Sequence, residues 1–286
     1  MGKKRAKDGL SDVSSWRHSN KGMLLAAPRN FHYVIGRNAV RETLLYAASR
    51  VRRIYLTPEA KIDLADPLSR MQTIEIKEFG RHELTKLVGT ESHQGVVAEV
   101  ADRQQITLDE MLRELAEVDR ALLVLVDNLS DPQNFGAVIR ASECFGASAL
   151  IYSNNRSPKF GAVISKASAG ASEVLPLVSV SNLAQALCQI KESGFWVIAS
   201  ALPESDPLST PPKMARKWSD FHRFSFPPKS AVIVGSEADG VSRLIKERSD
   251  SLITIPMGGR LGSLNVSQAT AVLLSRWVMD NHQFKS

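Results

Sequence analysis

The spacing of apolar residues changes texture twice along the chain. Up to residue 29 there is little periodicity and much Lys, Ser, Asn and Gly, which reads as a flexible arm with too few apolar side chains to pack. Regular spacing begins near Phe31. Val40, Leu44, Ala47 and Ala48 fall on one face of a helix that runs to Ser49. Residues 53–57 read as a strand stopped by Pro58. A helical stretch near 66–71, a strand at 73–76, a helix over 81–88 and a strand over 94–100 complete a small α/β unit without internal repeats. Thr107-Leu108-Asp109-Glu110 then places a hydroxyl and a carboxylate at capping-box spacing, which predicts a polar helix to about Glu117 that connects two domains.

Beyond residue 121 the strands change character. The runs at 122–126, 150–152, 195–199, 231–234 and 252–255 are continuously apolar rather than alternating, with helical stretches between them. Strands of that kind are buried on both faces, as in a parallel sheet covered by helices on either side. The chain closes in a helix whose Val266, Ala269, Val272, Leu273 and Trp277 share a face. Residues 201–229, with six prolines, give no assignable pattern. The expected organisation is an arm over 1–29, a small α/β domain over 30–103, a linker helix over 104–120 and a larger α/β domain over 121–286.

Composition narrows the class. With 43% hydrophobic and 23% charged residues the chain is globular, and 286 residues suit two domains better than one. No apolar run approaches the roughly 18 residues of a membrane span, and no apolar stretch of the secretory kind follows Met1-Gly2-Lys3-Lys4-Arg5. Cys144 and Cys188 are the only cysteines, which excludes a disulfide scaffold and a Cys-rich zinc site and favours a reducing, cytoplasmic compartment. Cys144 reads as a small core residue within a helix. The six histidines lack metal spacing and read as surface residues, so no metal is expected.

Net charge is +6, unevenly spread. Residues 1–29 hold seven Lys/Arg against two Asp, a surplus of five; residues 30–120 hold 13 basic and 15 acidic side chains; residues 121–286 hold 16 and 13. A basic arm suits a polyanionic partner through counterion release. In the small acidic domain, Arg50, Arg52 and Arg53 form the local patch that suits RNA.

Three polar segments each begin where an apolar strand ends. They are Asp127 to Gly136 with Arg140 in the following helix, Gly235-Ser236-Glu237-Ala238-Asp239-Gly240, and Pro256 to Asn265 with Gly258, Gly259 and Gly262. In open α/β sheets ligands lie beyond the carboxyl ends of the strands, so these loops define a candidate site. Taken singly, the first two also read as a turn with an N-cap and as an ordinary strand-to-helix turn. Three glycines in five residues are costly unless something approaches the main chain closely. No Gly-x-Gly-x-x-Gly or P-loop pattern is present, and Ser263 has no evident His partner for a hydrolytic triad.

In order and spacing, these three segments resemble the three motifs of the SpoU RNA ribose 2′-O-methyltransferases of the SPOUT superfamily. Tyr33 to Val40 and His93 to Val97 resemble the substrate-binding domain that some members carry in front, a combination similar to the bacterial 23S rRNA guanosine 2′-O-methyltransferases. The resemblance implies a parallel sheet with helices on both faces, a C-terminal trefoil knot and S-adenosylmethionine as methyl donor. It places Gly235, Ile255, Met257, Ser263 and Leu264 at the cofactor, and Asn134, Arg140, Glu237 and Asn265 at the reaction. It also implies a homodimer, a role that the apolar face of the terminal helix suits. A tRNA or other rRNA substrate, or a non-catalytic RNA-binding assembly factor, are the alternatives. Arg140 stands open as either the base or the electrostatic stabiliser of the attacking oxygen; its guanidinium, with a pKa above about 12, is a poor base. Phe135 and Gln268 stand where smaller or aliphatic residues are usual in the family.

Overall fold

The computed structural model describes residues 31–281 apart from 72–73, 104, 156, 159–160, 203–216, 237–238 and 261. The basic arm, Glu237 and residues 203–216 of the proline-rich excursion lie outside the described residues.

The amino-terminal unit is a four-stranded sheet in the order β1-β4-β2-β3, built from β1 (Phe31–Ile35), β2 (Val51–Leu56), β3 (Glu75–Glu78) and β4 (Val96–Ala101). Helix α1 (Arg37–Tyr46) covers it through Ala39, Val40 and Leu44, which join Ile54, Leu56, Val96, Ala98 and Val100 in one core. Pro58 ends the strand as expected and also begins a helix, α2 (Pro58–Asp63), with Thr57 as N-cap. Proline is preorganised for the first helical position, where its missing N–H is not needed. A short α3 (Ala65–Ser69) and α4 (Arg81–Val88) complete the unit. The two sequence stretches that resemble the substrate-binding domain meet in space: the Arg37 backbone N–H donates to Gln94 Oε1 at 3.0 Å and its Nε to the Gln94 carbonyl at 3.1 Å.

The second unit is a seven-stranded sheet, parallel throughout, in the order β7-β6-β5-β10-β8-β11-β9. Its strands are β5 (Ala121–Asp127), β6 (Ala149–Ser153), β7 (Leu177–Val180), β8 (Trp196–Ser200), β9 (Trp218–Asp220), β10 (Lys229–Gly235) and β11 (Ser251–Thr254). The continuous apolar runs are explained by their two burials. In β5, Leu123 and Leu125 enter one core, while Leu122, Val124 and Val126 enter the other across the sheet. β9 rescues three residues of the unassigned excursion as an edge strand.

Helices α5 (Leu108–Glu114), α8 (Leu183–Glu192) and α9 (Arg243–Arg248) cover the first face. The Thr107–Glu110 capping box forms as expected, with Glu110 N donating to Thr107 Oγ1 and Thr107 N to Glu110 Oε2. The helix it starts is not a free polar connector. Leu108, Met111, Leu112 and Leu115 are buried in the core of the larger sheet. The other face is covered by α6 (Pro132–Cys144) and α10 (Val266–Asn281), with α7 (Ala162–Ala167) packed on α6.

Three sequence expectations are corrected here. The apolar face of α10 is filled by its own chain: Leu273, Leu274 and Trp277 are buried in the second core, and Trp277 Nε1 donates to the Pro227 carbonyl at 3.1 Å. Cys144 is the last residue of α6 and is exposed, because the helix turns that position outward. His93 is buried rather than superficial, its ring accepting from Gly95 N at 3.0 Å and meeting Thr85 Oγ1 at 3.1 Å.

The candidate active site

Parallel strands deliver their carboxyl ends to one edge, and the three polar segments gather there. β5 ends in Asp127, whose buried carboxylate accepts from Ser242 N at 2.8 Å and so ties this end to the start of α9. Asn128 follows with φ 59°, a left-handed conformation that Asn tolerates and that turns the chain sharply off the strand. Asp131 then caps α6 by accepting from Asn134 N at 2.8 Å, with Pro132 in the first turn. This bears out the N-cap reading, and the cap is also what fixes Asn134.

Asn134 lies in the first turn of α6, facing the segment that leads into α10. Asn265 Nδ2 donates to Asn134 Oδ1 at 2.9 Å. The other end of the Asn265 amide accepts from Ser267 N at 2.9 Å and from Ser267 Oγ at 2.6 Å, capping α10. With its oxygen taken by two donors, the amide has one orientation left, so the pair is fixed at both ends. Residues 131 positions apart in the chain are thereby held in direct contact.

Arg140 sits six residues beyond Asn134, about 120° around the helix and about 9 Å along it. It is exposed, and no hydrogen bond or ion pair among the described residues engages it. The structure therefore brings Asn134 and Asn265 together but leaves Arg140 unattached to either. Glu237 lies outside the described residues.

The loop after β10 is closed on itself. A Cβ on Gly235 would stand 2.1 Å from the Gly240 carbonyl carbon and 2.3 Å from Val241 N, so the turn back over the strand end forces glycine at this position. Gly240 N donates to the Ser236 carbonyl at 2.9 Å and Asp239 N to Ser236 Oγ at 3.1 Å. Gly258, Gly259 and Gly262 differ: a Cβ there would meet nothing within 4 Å. The close approach expected from their clustering does not come from this chain.

β11 is the last strand in the chain, yet it fills the gap between β8 and β9, and Thr254 Oγ1 donates to the Ala201 carbonyl at the end of β8 at 2.7 Å. Ile255 is buried there, Met257 is half-buried, and Ser263 and Leu264 are exposed. Next to Ile255 in the chain, Thr254 and Pro256 line a cleft of about 340 Å³ together with Trp218, Ser219, Asp220 and Phe221. Among the described residues, no backbone–backbone hydrogen bond involves the stretch between Pro256 and Leu264. A lining of aromatic and polar side chains, near main chain without backbone–backbone hydrogen bonds among the described residues, suits a ligand with an aromatic base and several polar groups.

This architecture, a parallel sheet whose last strand is inserted between earlier ones with polar loops gathered at its carboxyl edge, has counterparts among known proteins. Residues 121–275 match the SpoU rRNA Methylase family, and residues 33–106 match the substrate-binding domain of RNA 2′-O ribose methyltransferases. The chain belongs to the SpoU rRNA methylase family. It is 33% identical over 247 residues to a 23S rRNA (guanosine-2′-O-)-methyltransferase RlmB of Pseudomonas putida, covering 84% of this chain and 93% of the relative. The corresponding protein of Vibrio parahaemolyticus is 31% identical, covering 85% and 94%. Among solved structures, the SpoU methyltransferase AviRb of Streptomyces viridochromogenes aligns with a TM-score of 0.66 at 22% identity, over 87% of this chain and 89% of that one. An AdoMet-bound rRNA methyltransferase of Sinorhizobium meliloti aligns with a TM-score of 0.66 at 18% identity, over 88% of each chain. At these identities the structures speak for the fold.

Proposed function

We propose that this protein transfers a methyl group from S-adenosylmethionine to the ribose 2′-hydroxyl of a guanosine in 23S ribosomal RNA, in the cytoplasm. The observation that carries the reading is the Asn134–Asn265 hydrogen bond, which joins the first and third polar segments at the carboxyl edge of the sheet. Ile255, Met257 and Leu264 form apolar walls, and Gly235, Ser263 and the main chain around them supply polar contacts for the donor. A trefoil knot, which the family resemblance implies, belongs to the reading, and the place of β11 between β8 and β9 is compatible with it. When bound, the donor supplies an electrophilic methyl on a positively charged sulfur.

The rest falls to the protein. The hydroxyl oxygen must approach in line, so much of the rate enhancement is positioning. The fixed Asn134–Asn265 pair orients the ribose. Arg140 stabilises negative charge developing on the oxygen and holds an adjacent phosphate, while the proton passes to water. Glu237 completes the polar network. Arg140 is exposed and distant from the asparagine pair along its helix, which supports a homodimer in which the arginine serves a site completed by a second subunit. The outward side of α10, with the exposed Gln268 and Met279, is the remaining surface for that contact.

Calorimetric titration with S-adenosylmethionine, followed by mapping of ribose methylation in RNA from a deletion strain, tests the reading. Binding together with loss of a single 23S rRNA mark is expected. Absence of donor binding by the folded protein would sink it, and loss of a tRNA mark would redirect the substrate.

A further inference from the structure

One carboxylate outside the candidate site is buried among charges. Glu173 ends a 3-10 turn (Ala171–Glu173) in the larger unit and is 4% exposed. Three side chains of the small unit converge on this turn. Arg50 Nη2 donates to Glu173 Oε2 at 3.0 Å and Nη1 to its carbonyl at 3.1 Å. His32 Nε2 meets Glu173 Oε1 at 3.2 Å, while its Nδ1 meets Asp102 Oδ1 at 2.9 Å. Arg103 donates to the carbonyls of Glu173, Val174 and Leu175 at 3.2, 2.8 and 2.6 Å. Ser172 Oγ supplies a further donor to Glu173 Oε1 at 3.2 Å. Arg50, which in sequence reads as part of an RNA-facing patch, is instead committed to this junction and to the Ala101 carbonyl.

The same segment touches the helix of the candidate site. A Cβ on Gly170, whose φ is 87°, would lie 2.7 Å from the Ala39 carbonyl of α1. A Cβ on Gly136 of α6 would lie 2.5 Å from Ala167 Cβ and 2.9 Å from Ser168 N. Residues 162–175 are therefore packed against the small unit on one side and against α6, two residues past Asn134, on the other.

We propose that Glu173 is a positioning residue that fixes the substrate-binding unit in one orientation over α6, and through it sets where bound RNA meets Asn134 and Arg140. A buried carboxylate tolerates few alternative dockings, because any arrangement that keeps it from water without its donors is strongly disfavoured. The cluster therefore selects one geometry more than it adds affinity. Burial pushes the His32 imidazole down, but the hydrogen bond and charge of Glu173, helped by Asp102 and opposed by Arg50, leave its pKa above the ordinary value. Burial likewise pushes Glu173 up, and His32, Arg50 and Arg103 more than offset it.

The inference rests on the methyltransferase reading for its catalytic arm only. The test uses the full chain carrying Glu173→Gln, which keeps the shape and loses the charge. Labels on Lys61 and Glu192, in a background with Cys144 and Cys188 replaced by Ser, report the distance between units. Glu173→Gln is expected to broaden that distance and raise KM for an rRNA fragment about tenfold, with donor affinity unchanged. The wild-type KM should rise with pH as His32 loses its proton, facing Glu173, Asp102, Arg50 and Arg103, and this dependence should vanish in the variant. An unaltered distance distribution, or donor affinity falling in step with RNA affinity, overturns the proposal. If the wild-type protein transfers no methyl group, the functional reading fails and the distances alone decide the clamp.

Discussion

Two residues proposed for the site differ in what holds them. Arg140 is exposed and unengaged, so removing it should leave the fold alone. If it stabilises charge on the attacking oxygen, Arg140→Ala lowers kcat by roughly a hundredfold or more with donor affinity within twofold, as kinetics and calorimetry together would show. Parallel loss of both would mean the residue supports the cofactor loop. Gly235 is the reverse, since a Cβ there would stand 2.1 Å from the Gly240 main chain, which would have to shift. Gly235→Ala should cost about 1–3 kcal/mol through overpacking, visible as a fall of several degrees in Tm and weaker donor binding. In the sequence these positions look equally special. Only the structure separates an exposed, unengaged side chain from a glycine that closes its own turn.

Elements were legible where local chemistry decides them. The helix at Arg81–Val88 coincides with its expected span, and the capping box at Thr107 forms as its spacing requires. Thr107→Ala should destabilise by about 1 kcal/mol, lowering the urea midpoint without changing the m-value. What each element packs against was less legible. The helix after Thr107 has enough polar residues to read as a connector, but its apolar minority is all on the core side. The terminal helix has an apolar stripe that suits a dimer equally well by pattern, and the chain itself fills it. Amphipathic spacing says that a face is buried without saying by what.

At the scale of the whole molecule, the junction between the two units should make stability depend on pH. His32 has a folded pKa above 6.5, so its contribution is fully present below that value and is lost as pH rises through the folded pKa. Glu173 has a folded pKa below 4.5, so its contribution is present above 4.5 and lost as pH falls through the folded pKa. The clamp is therefore strongest between about pH 4.5 and 6.5. Denaturant melts of the wild type and of His32→Gln should differ most near pH 6 and converge toward pH 9. A gap that stays constant would show that His32 carries no charge in the junction.

The sequence by itself determined the class of fold and the three loops at the sheet edge. Continuous apolar strands and polar segments at their carboxyl ends are properties of contiguous residues, readable without knowing where the chain goes next. It also held the family motifs, which pointed to Asn134 and Asn265. Tertiary structure alone decided the insertion of β11 between β8 and β9, the hydrogen bond across 131 residues, and the gathering of His32, Arg50, Arg103 and Asp102 around the turn at Glu173. Those contacts join residues with no shared periodicity and no common motif. The gathering at Glu173 exists because a buried polar group must find its partner wherever the packed chain brings one.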